Sequence, residues 1–338
     1  TGNTIVIKAA SKTPLTALRC AELWQEAGLP DGVLNIVTCT RQESEQFLTH
    51  PDVKGICFVG TTGVGKHIYG IAAANGKRVQ AQTEAKNHAL VLEDAALERT
   101  ARGIINSAFG CAGERCMALP VVVAQESIAD KLVELLVRFA GELKVGPAYD
   151  KTTDLGPVVD ASHKAKVVKW IEKGVEEGAR LVLDGRGITV PGYENGFYLG
   201  PTIFDHVTED MAIGQQEIFG PVLAVKRCKD FEEGIQMMNR NPFANGSVIY
   251  TQSGYYSREF ARRTDGGMVG INVGIPVPAG IFSFSGHKDS FFGDLHCLGK
   301  DGVRFFTEIK AVTTHWFDEE EKKAKEVDTW EGSVGGSM

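Results

Sequence analysis

Short β-rich runs alternate with helical stretches along this chain, and that alternation limits the fold more than any other feature. Residues 4–8 read as a buried strand. Residues 14–27 read as a helix, with Pro14 near its start, Leu15, Leu18, Leu23 and Trp24 near helical spacing, and Gly28 as a stop. A strand over 33–37, a short helix over 41–49, a strand over 53–59, a glycine-rich turn and a helix over 64–74 follow. The second half repeats the style. Strands are expected at 88–92, 121–124, 222–225 and 247–250, and helices at 98–109, 128–143 and 232–239. Residues 185–200, glycine-rich with Tyr193 and Tyr198, read as a loop or hairpin. Alternation of this kind requires parallel strands joined by helical crossovers, hence an α/β fold of two doubly wound units with a cleft between them.

Length and composition narrow the partners. A chain of 338 residues is long enough for roughly two domains. A net charge of -7 leaves no basic stripe to neutralise phosphates, so no nucleic-acid partner is expected. No apolar run approaches the roughly 18 residues of a membrane span, and no signal peptide is visible. The chain starts at Thr1 inside a strand-like run, which reads as a piece cut within a domain, any targeting segment lying upstream. The 7 cysteines are odd in number, scattered and free of any CxxC pair. A reducing compartment is therefore expected, the cytoplasm or, in a eukaryote, the mitochondrial matrix. The 8 histidines form no HExxH and no Cys/His pair at zinc spacing, so no metal site is expected. Residues 318–338, charged and then Gly/Ser-rich, read as a mobile tail.

Two local motifs invite chemistry. Gly60-Thr61-Thr62-Gly63-Val64-Gly65-Lys66 approaches the phosphate-cradling GxxxxGK[ST] loop, but His67 stands where the magnesium-binding hydroxyl belongs. Triphosphate chemistry is thereby disfavoured. A glycine turn at a helix start still presents N–H groups to an anion such as a diphosphate; read alone, the stretch is equally an ordinary strand-to-helix turn. In Cys111-Ala112-Gly113-Glu114-Arg115-Cys116, small residues would let backbone approach a substrate, and Arg115 would favour the Cys116 thiolate. A lone cysteine is also commonly a small buried hydrophobe.

Gly113-Glu114-Arg115-Cys116 resembles the Gly-Gln-X-Cys nucleophile motif of the aldehyde dehydrogenase superfamily. Other matches follow in the family's order: Gly2-Asn3-Thr4 through Lys8 with Thr13-Pro14-Leu15, then Phe58-Val59-Gly60-Thr61-Thr62, Glu217-Ile218-Phe219-Gly220-Pro221-Val222, and Ile271-Asn272-Val273. The likeness covers residues 1–317. Within the family the chain is most similar to the CoA-acylating methylmalonate-semialdehyde dehydrogenase branch, through Lys86-Asn87-His88, Gly192-Tyr193-Glu194-Asn195-Gly196, Pro276-Val277-Pro278 and Phe282-Ser283-Phe284-Ser285-Gly286.

The resemblance implies a coenzyme-binding domain over 1–84, a catalytic domain over 85–290, and a return segment with an oligomerisation strand over 291–317, giving a homodimer or homotetramer. It also implies a full enzyme with further sequence upstream, including an Asn that donates to the oxyanion. Cys116 would attack the aldehyde, its own N–H would hold the oxyanion, and hydride would pass to the nicotinamide. Lys8 would bind the adenosine ribose, Thr61 the diphosphate and Glu217 the nicotinamide ribose. Phe219 and Thr83 would lie near the nicotinamide, and Arg115 would pair with a substrate carboxylate. Ser11 stands where many NAD-selective members carry Glu, and with Lys12 it would tolerate a 2′-phosphate, so the coenzyme is NAD with NADP open. Hydrolytic members use a Glu where Gln82 stands here, and an amide cannot act as base. Coenzyme A is then the expected acyl acceptor. Glu84, where the family has Gly, leaves a relocated base open, and with it hydrolysis to a free acid. A non-catalytic module is the third reading. Glu114, replacing Gln, would set an acid beside Arg115.

Overall fold

The computed structural model describes residues 1–323. Most of the expected tail, residues 324–338, lies outside the described residues. Thr1–Phe306 forms one compact unit and the chain from Thr307 a second. In chain order the first unit contains β1 (Ile5–Lys8), α1 (Pro14–Glu26), β2 (Leu34–Val37), α2 (Arg41–Ser44), α3 (Gln46–Thr49), β3 (Gly55–Val59), α4 (Thr62–Ala74) and β4 (Arg78–Gln82). Then come β5 (His88–Val91), α5 (Leu97–Phe109), β6 (Val121–Gln125), α6 (Glu126–Gly141), α7 (Ala161–Glu176), β7 (Arg180–Leu183), β8 (Thr202–Asp205) and β9 (Val222–Cys228). The unit closes with α8 (Phe231–Asn239), β10 (Phe243–Ala244), β11 (Gly246–Tyr250), α9 (Gly254–Arg263), β12 (Met268–Ile271), β13 (His287–Lys288), β14 (Phe291–Phe292) and α10 (Gly299–Phe305).

The doubly wound arrangement is complete in a seven-stranded sheet of order β12-β11-β5-β6-β9-β8-β7, parallel except for β7 against β8. Its central strands are apolar on both faces, as strands covered on both sides must be. Leu90, Val123 and Ile249 meet Phe231, Ile235 and Met238 of α8 and Phe260 of α9. Ala89, Val122 and Ala124 belong to the opposite layer, with Ile104 and Phe109 of α5 and Leu132, Leu136 and Phe139 of α6. The period of two along each strand divides the layers. Residues 185–200 form the expected loop, joining the antiparallel neighbours β7 and β8.

Residues 1–84 supply two separate parallel pairs, β1 with β2 and β3 with β4, and β14 adds antiparallel to β4. Two expectations change here. The first strand forms, but it is not buried: Ile5, Val6 and Ile7 are exposed, because β1 pairs on one edge only and α1 has no buried residue. The helix expected over 41–49 is two short ones, because the Glu45 N–H reaches back three residues to Gln42 (3.2 Å) and tightens the chain there. In the second unit, residues 307–320 are exposed, and no strand forms among its described residues. No helix among the described residues is long and apolar enough to cross a membrane.

Lys226 breaks the apolar pattern in the middle of β9. It is fully buried and its Nζ has no hydrogen-bond partner among the described residues. Burial lowers its pKa from 10.5 to about 8. The unfolded chain thus binds this proton up to a higher pH than the folded one, so this group makes stability rise as pH climbs from 8 towards 10.5. Lys226→Met keeps the length of the side chain and removes the orphaned amine. It should stabilise the fold by about 1–3 kcal/mol, most below pH 8 and progressively less towards pH 10. Thermal melts of both chains at pH 7 and pH 10 would check this; a lower Tm for the variant at pH 7 would contradict it.

Candidate active site

Cys116 lies after α5, beyond a tight 3₁₀ turn over Gly110–Gly113. Three successive residues of that turn are left-handed: Cys111 (φ 54), Ala112 (φ 54) and Gly113 (φ 71). Such a run is strained for residues with a Cβ, so its surroundings must hold it. Gly113 sits against the backbone of Gly220, where any Cβ would overlap the Gly220 carbonyl. Ala112, Met117 and Leu119 are buried on either side. The result is an exposed Cys116 between buried neighbours.

Two amides fix the Cys116 peptide. The buried Asn87 donates from Nδ2 to the carbonyls of Cys116 (2.9 Å) and Ala118 (2.7 Å) and accepts from the Gly246 N–H (2.8 Å). Asn245 Nδ2 also donates to the Cys116 carbonyl (3.0 Å). The N–H groups of Cys116 and Met117 face the sulfur and favour its anion. Arg115 favours the thiolate as expected, but it does not prevail. Burial raises the Cys116 pKa above the usual thiol value, and Glu217 raises it further. The two N–H groups and Arg115 oppose this without reversing it. Arg115 instead folds back over Gly110, with Nη2 3.6 Å from Cys111 Sγ. Its Nε has no partner among the described residues.

The loop between β4 and β5 gathers several candidates. Glu217 is half-buried and accepts from the Ala85 N–H (3.1 Å). Burial raises its pKa to about 7, with a further push from Glu84, against the Ala85 hydrogen bond and Lys86. Glu84 Oε2 accepts from the Thr62 N–H (2.9 Å) at the start of α4. Thr61 is exposed at the N-cap of that helix. The helix begins at Thr62, so Gly63, Gly65 and Lys66 are helical and not part of a phosphate loop. Gly65 lies under Thr83, whose hydroxyl is buried and donates to the Asp289 carbonyl (2.6 Å). Gln82 is buried and donates to the Phe284 carbonyl (3.2 Å).

A second group forms at the start of α7. Asp160 caps that helix by accepting from the His163 N–H (2.8 Å), and its carboxylate pairs with Lys12. His163 Nε2 donates to the Phe219 carbonyl (2.6 Å) and lies 3.2 Å from Glu114 Oε1. Glu114 also accepts from the Val159 N–H (3.1 Å), so its acid is turned to His163 and not to Arg115. Phe219 is half-exposed on a left-handed residue (φ 59). Lys8 stands apart at the end of β1, where its ammonium reaches only the Ala9 carbonyl at 3.5 Å, and Ser11 is exposed. Asn245 and His163 were not legible as site residues. Both act through hydrogen bonds to residues distant in sequence, and nothing in their neighbours marks them.

The chain is similar to several known proteins. The family model for the aldehyde dehydrogenase family matches residues 1–312. Malonate-semialdehyde dehydrogenase 1 of Oceanobacillus iheyensis is 50% identical over 316 residues, 94% of this chain and 65% of that protein. Malonate-semialdehyde dehydrogenase 2 of Geobacillus kaustophilus is 53% identical over 93% of this chain and 65% of its own length. The crystal structure of a putative methylmalonate-semialdehyde dehydrogenase from Sinorhizobium meliloti complexed with NAD superposes with a TM-score of 0.92 at 43% identity, over 94% of this chain and 65% of that one. That of methylmalonate-semialdehyde dehydrogenase from Oceanimonas doudoroffii gives 0.93 at 43% identity, over 95% and 66%. The chain spans about 65% of the length of the curated relatives it matches.

Since Glu217 raises the Cys116 pKa, Glu217→Gln should free more thiolate while keeping an acceptor for the Ala85 N–H. Removing that charge should leave about 3-fold or more thiolate near neutral pH. The rate of iodoacetamide labelling at Cys116, followed by peptide mapping at pH 7.5, should rise accordingly. An unchanged or slower rate would show that Glu217 does not govern the thiol.

Proposed function

The chain belongs to the aldehyde dehydrogenase family, and from that premise we propose that it oxidises a malonate- or methylmalonate-type semialdehyde with NAD and passes the acyl group from Cys116 to coenzyme A. The observation that carries this reading is the exposed Cys116 thiol, its peptide fixed by Asn87 and Asn245 and its sulfur faced by two N–H groups. Those donors suit an anion that develops at this point in the reaction.

The thiolate adds to the aldehyde carbon, and the former carbonyl oxygen takes the negative charge. The Cys116 N–H stabilises it. A nicotinamide held there would supply the acceptor for the hydride of that carbon. As the C=O bond re-forms, a thioester remains on Cys116. Thiolate attack by coenzyme A breaks the Cys116 C–S bond and regenerates the nucleophile. The sum is aldehyde, oxidised coenzyme and thiol in, and thioester, reduced coenzyme and a proton out. Arg115 Nε has no hydrogen-bond partner among the described residues, and Glu114 is turned to His163, which supports a guanidinium that would leave Cys111 Sγ to meet a substrate carboxylate.

The residues present fit a dinucleotide. Lys8 and Thr61 stand at the C-terminal ends of parallel strands, where coenzymes lie in open α/β sheets. Lys8 and Glu217 offer a cation and an anchored carboxylate for ribose hydroxyls, Thr61 the start of a helix for the diphosphate, and Phe219 an exposed ring beside the nicotinamide. Thr83, buried under the turn, would support that position from below. Ser11 carries no acid, and Lys12 is paired with Asp160; a 2′-phosphate would compete for that lysine, which favours NAD over NADP.

For deacylation, Gln82 has no proton-accepting carboxylate, and the Glu84 carboxylate is engaged at the Thr62 N–H. With no base at Gln82, a thiol acceptor is favoured over hydrolysis, and a hydrolytic outcome would point to Glu84. In the full-length protein, NAD+ and semialdehyde without coenzyme A should leave the thioacyl form standing. Adding coenzyme A should raise steady-state turnover about 100-fold or more and yield acyl-CoA by mass spectrometry. Equal turnover with and without it, giving only free acid, would place the chain on the hydrolytic branch.

Residues 311–317 are exposed and apolar in part, with Val312, Trp316 and Phe317 open to solvent. An exposed run of this kind suits an edge strand completed by a second copy of the chain, in a dimer or tetramer. Deleting Ala311 onward should lower the mass measured by light scattering, and an unchanged mass would rule this assembly out.

A further inference from the structure

Glu84 is placed where the proposed coenzyme should meet the protein. Its Oε2 accepts from the Thr62 N–H at 2.9 Å. Thr62 is the first residue of α4, a helix of 13 residues, and its N–H is among the four that no helical carbonyl can satisfy. This is the donor a diphosphate would take. The backbone around Glu84 is fixed from both sides. Ser290 Oγ donates to the Glu84 carbonyl (2.7 Å), and the next residue's N–H, that of Ala85, is held by Glu217 (3.1 Å). Below it, the Thr83 and Thr62 hydroxyls both donate to the Asp289 carbonyl (2.6 and 3.3 Å). Only the Glu84 side chain is left to move. Lys66, one turn into α4, is paired with Asp289 (3.3 Å) and is not directed at Glu84.

Resting on the dinucleotide reading above, we propose that the Glu84 carboxylate acts as an internal competitor for the diphosphate at the start of α4 and sets the affinity for the coenzyme. Binding exchanges one anion for another at the Thr62 N–H, so the contact yields little net gain. Unless the carboxylate swings clear, it also faces two phosphate charges at short range. Release is correspondingly favoured, because the carboxylate returns to the donor that the phosphate leaves. The contact is therefore an affinity-lowering device built from one residue of this chain.

The test compares the full-length chain with Glu84→Gln and Glu84→Gly by calorimetric titration with NAD+, ADP-ribose and adenosine. ADP-ribose keeps the diphosphate without the nicotinamide, and adenosine lacks the diphosphate. Both variants should bind NAD+ and ADP-ribose about 5-fold or more tightly, with adenosine unchanged. The Gln side chain keeps the shape and the acceptor oxygen, so the comparison stands even if the Gly variant fails to fold. An unchanged or weaker Kd for ADP-ribose, or an equal gain for adenosine, overturns the proposal while leaving the coenzyme reading in place. If neither NAD+ nor ADP-ribose binds any of the three proteins, the coenzyme reading falls and this inference falls with it.

Discussion

The side-chain amide of Asn87 holds three parts of the fold at once. It donates to the Cys116 and Ala118 carbonyls and accepts from the Gly246 N–H, joining the approach to β5, the nucleophile segment and the start of β11. All three bonds are inside the protein, where a lost partner leaves a buried polar group unsatisfied at a cost of about 1–3 kcal/mol each. The strained turn over Gly110–Gly113 depends on this anchorage from one side and on the Gly220 backbone from the other. Without both, three left-handed residues in a row would relax and the Cys116 N–H would lose its aim. Geometry at the nucleophile is thus a property of the sheet and not of the loop.

Placing Asn87 there has electrostatic consequences. Its neighbours in sequence, Lys86 and His88, are drawn into the interior with it, and Lys226 of β9 lies close enough to act on both. Lys86 Nζ, His88 Nε2 and Lys226 Nζ have no hydrogen-bond partners among the described residues. Burial lowers the Lys86 pKa to about 7, Lys226 lowers it further, and Glu217 opposes them. Burial also holds His88 well below its usual value, and its Nδ1 donates to the Lys86 carbonyl (2.7 Å). Burial works against the charged form of each of these bases. Glu217 answers in the opposite sense, raised to about 7 by burial. The site therefore holds several groups poised near neutrality, and the thiol beside them is harder to ionise than its neighbour Arg115 suggests.

Much of the fold was legible because it rests on local pattern. Val121 to Ala124 are apolar and buried on both faces, as a central parallel strand must be, and α1 runs from Pro14 to just before Gly28 (φ +89). Other elements left no such trace. β4 reads Arg-Val-Gln-Ala-Gln, and its two glutamines are buried against the His296 and Phe284 carbonyls, polar partners more than two hundred residues away. α7 carries lysines nearly throughout and buries only Val167, Ile171 and Gly174, too narrow a stripe for periodicity to stand out. β1 reads as buried from its composition, but exposure depends on how many neighbours a strand has, which composition does not encode.

The candidate site divides in the same way. By itself the sequence determined the type of fold, the family resemblance and the candidate nucleophile, because these rest on residue order: an apolar period of two, glycine stops, and Cys116 after Gly113. Only the tertiary structure decided how those residues act. It turned Glu114 from Arg115 to His163, tied Lys12 to Asp160, brought Glu217 close enough to oppose the Cys116 thiolate, and set Glu84 against the first N–H of α4. Charge interactions fall off with distance and grow with burial, and both quantities are fixed by packing between segments far apart in the chain.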